Sequence, residues 1–182
     1  NGEVKKIADL GGGPNGAAIG PDGHCYVCNN GGFAWRTDEG FSRPTGAPED
    51  YTGGSIQRVN IATGAVTTLY SHYEGVPLRG PNDIVFDAAG GFWFTDFGKK
   101  HDDRLMWGAI YYARTDGSFI KRGADHLLTA NGVGLSPDGR TLYAAETETS
   151  RLWSYPVLGP GELGKEPWPS PNGGKLDAEA CG

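Results

Sequence analysis

The chain has 182 residues, a formal net charge of −6 and a high content of Gly (31) and Pro (12). That length allows one domain with a core of its own, and the acidic balance argues against a nucleic-acid partner, whose phosphates need a basic face. No stretch nears the roughly 20 apolar residues that span a bilayer, and no apolar segment follows Asn1-Gly2-Glu3-Val4-Lys5-Lys6, so no membrane partner is expected and the chain reads as cytoplasmic.

Residues 3–8 read as a lone strand, the outer strand of a preceding repeat. Asn15-Gly16-Ala17-Ala18-Ile19 then leads through Pro21-Asp22-Gly23 into His24-Cys25-Tyr26-Val27. The turn has a mechanism, because Pro presets φ and Gly accepts positive φ. Cys25 and Cys28 fall on this second strand, three apart and so on opposite faces. They lack the second ligand pair that zinc needs, and three cysteines make no even disulfide set, so two buried thiols are expected. Gly31 to Gly54 is rich in Gly, Pro and charge and reads as a long loop. A second hairpin follows, Ser55 to Val59 turning at Ala62-Thr63-Gly64 into Ala65 to Tyr70.

The same order recurs twice. Asn82-Asp83-Ile84-Val85-Phe86 turns at Ala89-Gly90-Gly91 into Phe92-Trp93-Phe94, and Ala109 to Ala113 turns at Thr115-Asp116-Gly117 into Ser118-Phe119-Ile120. Asn131-Gly132-Val133-Gly134-Leu135 turns at Pro137-Asp138-Gly139 into Arg140-Thr141-Leu142-Tyr143, and Arg151 to Tyr155 turns around Gly159-Pro160-Gly161. The last strand of this copy is interrupted by Pro167 and Pro169. Two hairpins per repeat make a four-stranded antiparallel propeller blade. The fold class is therefore all-β, with residues 1–182 one partial β-propeller and blades at about 15–70, 82–122 and 131–169. Closing a propeller takes about four blades or more. The chain thus reads as a piece of a longer propeller, with a homodimer of two copies as the other way to close the ring.

Asn15, Asn82 and Asn131 begin the innermost strand of each repeat, so their side chains are expected to meet at one end of the axis. Amide oxygens are hard, neutral ligands suited to Ca²⁺. Asn15-Gly16 and Asn131-Gly132 are also ordinary turn pairs. Arg79-Gly80-Pro81-Asn82-Asp83 gathers a cation, an amide and a carboxylate at a strand entrance, which fits either a polar substrate or a capped turn. Other matches fail on context. Gly11, Gly13 and Gly16 spell a dinucleotide fingerprint, yet a hairpin follows where a helix should open. Asp96-Phe97-Gly98 has no kinase loops beside it, and no Ser sits in a nucleophile elbow. Glu146 and Glu148 read as a solvated strand edge, and the four His are scattered.

These phrases resemble the gluconolactonase family, also called the senescence marker protein and luciferin-regenerating-enzyme-like family. The resemblance rests on Gly12 to Ile19, on Arg79 to Asp87 with Gly91 to Asp96, and on Asn131 to Tyr143 with Glu146-Thr147-Glu148, in family order. It implies a six-bladed propeller, of which three blades are present, and one divalent cation at the end of the channel. That cation is Ca²⁺ foremost, with Zn²⁺, Mg²⁺ or Mn²⁺ as the others. Ala130-Asn131-Gly132 matches the family's metal-binding phrase, which implicates Asn131. Arg79, Asn82 and Asp83 match its substrate-binding phrase with one extra residue after Arg79, and Asn82 is a metal ligand in some branches. Asn15 is the weaker third metal candidate. The implied activity is metal-dependent hydrolysis of a small lactone, the cation polarising the ester carbonyl for attack by water. A non-catalytic calcium-binding or interaction propeller is the alternative. No Glu-Gly-Pro phrase precedes Asn15, and Leu176-Asp177-Ala178-Glu179 lacks the strand that flanks the family's acidic base. The catalytic base is therefore unassigned, and this chain alone is expected to bind metal weakly and to be inactive.

Overall fold

The computed structural model describes residues 2–101, 103–166 and 170–179, and these contain strands, turns and coil but no helix. Three antiparallel sheets follow one another along the chain, the first two of four strands and the third of five. The first is Pro14–Ile19, Cys25–Asn29, Ser55–Val59 and Val66–Tyr70, side by side in that order. The second is Pro81–Phe86, Gly91–Asp96, Gly108–Arg114 and Ile120–Leu127. The third is Ala130–Leu135, Thr141–Glu146 and Arg151–Gly159, whose outer edge pairs with both Glu162–Leu163 and Lys175–Glu179. The inner strand of the second sheet packs against the inner strands of both others. These are propeller blades, each starting at the axis and stepping outward.

Two apolar layers bind the blades together. Tyr26, Cys28, Ile56, Phe92, Phe94 and Tyr111 fill the space between the first and second sheets. Trp93, Ile110, Tyr112, Leu142, Trp153 and Tyr155 fill the space between the second and third. The strand Gly91–Asp96 serves both layers, because alternate side chains leave opposite faces. That is why it reads as an unbroken apolar run rather than an alternation. Burying one such aromatic contributes about 1.5–3 kcal/mol, so this strand outweighs any exposed ion pair of the molecule, each worth about 0–1 kcal/mol.

Four expectations need correction. Residues 3–8 form no strand. The segment leading on from them lies across the first sheet instead, where the Leu10 carbonyl accepts amide protons from Asn29 and Gln57. The 31–54 insertion is not a bare loop: Ala34–Asp38 and Phe41–Gly46 form a hairpin. Its two central residues, Glu39 at φ 48° and Gly40 at φ 83°, take the left-handed geometry of a two-residue hairpin turn. The third blade runs past residue 169, because Lys175–Glu179 pairs with its third strand; Pro167 and Pro169 lie outside the described residues. Of the two thiols, Cys28 is buried and Cys25 is half-buried, and both are free. Burial, helped by the Asp83 and Asp96 carboxylates, pushes the Cys28 pKa well above its usual value, which makes it an inert thiol.

Candidate functional site at the axial end

Each inner strand slips register at the same place. The slip falls between Pro14 and Ala17, whose partners are Asn29 and Val27. It recurs between Pro81 and Ile84, opposite Asp96 and Phe94, and between Ala130 and Val133, opposite Glu146 and Ala144. Asn15-Gly16, Asn82-Asp83 and Asn131-Gly132 therefore each face a single residue of the second strand. This is a β-bulge, a device that bends a strand and re-aims its side chains. The three asparagines occupy equivalent bulge positions.

Neighbouring bulges touch. A Cβ on Gly16 would lie 2.4 Å from the Asn82 carbonyl oxygen, so only Gly fits where the first inner strand meets the second. Gly16 is thus required by close approach, not by a turn. Between the second and third blades, Asp83 Oδ2 accepts the Val133 N–H at 2.9 Å, and the Thr95 hydroxyl donates to the Asn131 carbonyl. Asp83 Oδ1 accepts the Ile84 N–H at 2.9 Å. The Asp83 carboxylate is thus a strut between two bulges.

Asn82 is 6% exposed, and its side chain makes no hydrogen bond to any described residue. The 6% that stays exposed includes the amide oxygen and nitrogen, neither of which is sealed from solvent, so the amide is open to a ligand. Asn131 is half-buried. Its Nδ2 donates to Thr147 Oγ1 at 2.8 Å, leaving Oδ1 with no described donor. Two residues earlier, Thr129 sits at φ 55°, a position that costs a β-branched residue about 1–3 kcal/mol. Its hydroxyl holds it there, donating to the Leu128 carbonyl at 2.6 Å and accepting the Glu148 N–H at 2.9 Å. Nothing in Leu127-Leu128-Thr129-Ala130 signals this strain in the sequence.

Asn15 is exposed. It stands at the rim of a cavity of about 570 Å³, walled by Gly12 to Pro14 of the axis and by Phe33, Trp35, Pro44 and Pro48 of the insertion. Arg79 does not join it. The Arg79 guanidinium donates to the Trp107 carbonyl at 2.6 Å and lines a separate cavity of about 310 Å³ with Tyr73, Trp107, Arg122 and His126. The expected Arg79–Asn82 pair is therefore split, with Asn82 at the axis and the Arg79 side chain outside it.

The second-strand residues paired with Pro14, Pro81 and Ala130, just before each bulge, form a second polar tier that the sequence reading missed. Asn29 Oδ1 accepts the N–H groups of Gly13 and Gly31 at 2.9 and 3.0 Å. Asp96 accepts those of Arg79, Gly80 and Gly98 at 2.7, 2.7 and 2.9 Å. Burial pushes the Asp96 pKa up, while its three main-chain donors pull the other way. Glu146 accepts the Leu128 N–H at 2.5 Å and the Thr149 hydroxyl at 2.7 Å. Glu146 is thus buried rather than solvated, and Glu148 alone lies exposed past the strand end. Each acceptor fixes the loop leading into its inner strand.

Among the described residues no three His, Cys, Asp or Glu side chains gather as a metal centre. The free donors at the bulges are neutral amides. Asn82 and Asn131 fit two positions of a hard cation such as Ca²⁺. The carboxylates that largely set Ca²⁺ affinity do not come from these bulges.

A family model of the SMP-30/Gluconolactonase/LRE-like region matches residues 2–172. Lactonase drp35 of Staphylococcus saprophyticus is 41% identical over 80 residues, which is 44% of this chain and 24% of that protein. Lactonase drp35 of Staphylococcus epidermidis is 39% identical over 71 residues, 39% of this chain and 21% of that one. Among solved structures, a gluconolactonase from Xanthomonas campestris aligns with a TM-score of 0.64 at 26% identity, covering 86% of this chain and 48% of its own. A chain of the nidogen/laminin complex aligns with a TM-score of 0.51 at 19% identity, over 78% of this chain and 43% of its own, and shares the fold alone. The match spans about a quarter of the drp35 proteins and about half of the gluconolactonase.

Proposed function

The chain belongs to the SMP-30/gluconolactonase/LRE-like family, and on that footing we propose that it works in the hydrolysis of small lactones, with a divalent cation, Ca²⁺ foremost, at the axial end. Asn82 and Asn131 would hold that cation through their amide oxygens. When bound, it supplies a Lewis acid that polarises the ester carbonyl and stabilises the oxyanion formed as water adds.

The chain's own residues position and enclose. Asp83 and Thr95 keep the second and third bulges in register, which sets the spacing of the two amides. Thr129 and Thr147 orient the Asn131 side chain and backbone. Phe33 and Trp35 would supply an apolar wall, and Asn15 and Asn30 polar contacts, to the cavity beside Asn15, whose lining does not include Asn82 or Asn131. Hydrolysis also needs a group to take the proton from water. Asp83, Asp96 and Glu146 already accept main-chain donors, so none is assigned that role. We place the base and the acidic metal ligands on further blades, in keeping with the 48% coverage of the gluconolactonase.

The observation that carries this reading is the Asn82 amide, which makes no hydrogen bond to a described residue and stays open to solvent, on a bulge that recurs in all three inner strands. It is tested by following acid release from gluconolactone with and without Ca²⁺. We expect little turnover by the 182-residue chain and cation-dependent turnover by a chain extended over the full propeller. Asn82→Ala should lower that turnover by at least about tenfold, the loss of one oriented ligand. Cation-independent hydrolysis, or an unaffected Asn82→Ala variant, would refute the reading.

A further inference from the structure

Lys99 is 1% exposed, and among the described residues no carboxylate pairs with it. It sits on the short strand Lys99–Lys100, just after the second strand of the middle blade. An ammonium removed from water is costly unless its charge is met. Besides the field of the Asp96 carboxylate, it is met from one side. Lys99 Nζ donates to the Asn30 carbonyl at 2.9 Å and to the Gly32 carbonyl. It also lies 4.4 Å from the Phe33 ring centre and 4.5 Å from that of Tyr51, within the range of cation–π attraction. All four groups lie within the 31–54 insertion or immediately before it. Burial lowers the Lys99 pKa to about 8, so the side chain is charged at neutral pH.

Two further contacts follow the same seam. The Ala47 N–H donates to the Lys100 carbonyl at 3.0 Å, and the Tyr51 hydroxyl donates to the Arg79 carbonyl, next to the loop that carries Asn82. On the other side of the seam the Phe33 ring packs edge-on against Trp35 at 6.4 Å. Both rings line the axial cavity.

We propose that Lys99 is a positioning residue of that cavity: its enclosed ammonium clasps the 31–54 insertion to the middle blade and so fixes the aromatic wall against which the ligand is received. The part concerning the ligand rests on the lactonase reading above; the clasp itself does not. The insertion is then a wall fixed at its base with its tip free, consistent with Phe41 at 67% exposed beside the hairpin turn.

The test is Lys99→Met in the propeller chain, read by hydrogen exchange and by steady-state kinetics. Exchange across residues 31–54 should rise about tenfold or more while Gly91–Asp96 and Gly108–Arg114 keep their protection, as expected for a locally released unit. KM for gluconolactone should rise severalfold with kcat held within about twofold, because the wall binds ground and transition states alike. Tyr51→Leu, which keeps the charge and removes one ring, should give a smaller rise in the same segment and serves if Lys99→Met does not fold. Unchanged exchange in 31–54, or an equal loss of protection through all three blades, would overturn the clasp. Released exchange with an unchanged KM would overturn the positioning role. A parent protein without lactonase activity would sink the substrate reading, and the exchange result would still decide the clasp.

Discussion

Two tiers of polar side chains lie beside the bulges, one on the inner strands and one on the second strands, and they meet burial in opposite ways. Asn29, Asp96 and Glu146, on the second strands, are buried and occupied, each accepting protons from the loop that enters its own blade. Asn82, on an inner strand, is 6% exposed, makes no side-chain hydrogen bond to a described residue and keeps its amide open to solvent. The difference separates scaffold from site. A buried polar group whose lone pairs are taken by main-chain donors holds the fold, whereas one left without them is available to a ligand. Residue type follows role: the occupied tier uses Asn, Asp and Glu, since any acceptor of suitable reach will serve, while the inner tier is Asn in all three blades.

The largest expected effect is of pH, and it sets the range over which the tiers can be compared. Burial raises the pKa of Tyr26, Tyr111 and Tyr112 from 10.0 to about 12. The unfolded chain therefore ionises these phenols first. The stability they confer is whole below pH 10 and is lost as pH rises toward 12. A pH series of urea midpoints should fall steeply over that window and stay level with respect to these groups below it.

Within the occupied tier, Asp96→Ala strips the acceptor from three buried N–H groups. At about 1–3 kcal/mol for each group left unsatisfied, the loss of stability should reach at least about 3 kcal/mol by urea unfolding, and a loss under 1 kcal/mol would erase the distinction between tiers. Gly16→Ala comes next. Its new methyl would sit 2.4 Å from the Asn82 carbonyl, and forcing the strands apart should cost about 1–3 kcal/mol and disturb Asn82 with it. The smallest change in stability belongs to Asn82→Ala, within about 0.5 kcal/mol, because no protein hydrogen bond is lost. A drop of about 2 kcal/mol or more in that variant would mean that Asn82 belongs with the scaffold.

Much of this was legible in the sequence, for reasons that also mark where reading stops. The blades could be read because Pro21-Asp22-Gly23 and Pro137-Asp138-Gly139 are local turn chemistry, recognisable without a fold. The inner asparagines could be read because the same letter recurs at the same place. The occupied tier could not, because its three members differ in type and its partners are main-chain atoms. The bracing by Asp83 could not be read for a related reason: its partner Val133 belongs to the next blade. Arg79 lies close to Asn82 in sequence, yet its side chain turns to Trp107. Lys99 stands in Lys99-Lys100-His101, a string that reads as surface; only the insertion folding over it makes it interior. The insertion's composition signalled a loop, and its hairpin depends on the left-handed Glu39, a residue type that does not announce that geometry.

The side-chain amide NMR signals of Asn82 and Asn131, followed during a Ca²⁺ titration into the millimolar range, test the shared cation site most directly. The account predicts that both pairs of signals move together along one weak, saturating curve, while those of Asn29 stay in place. Signals of Asn82 and Asn131 that never shift, or that shift on separate curves, would contradict it.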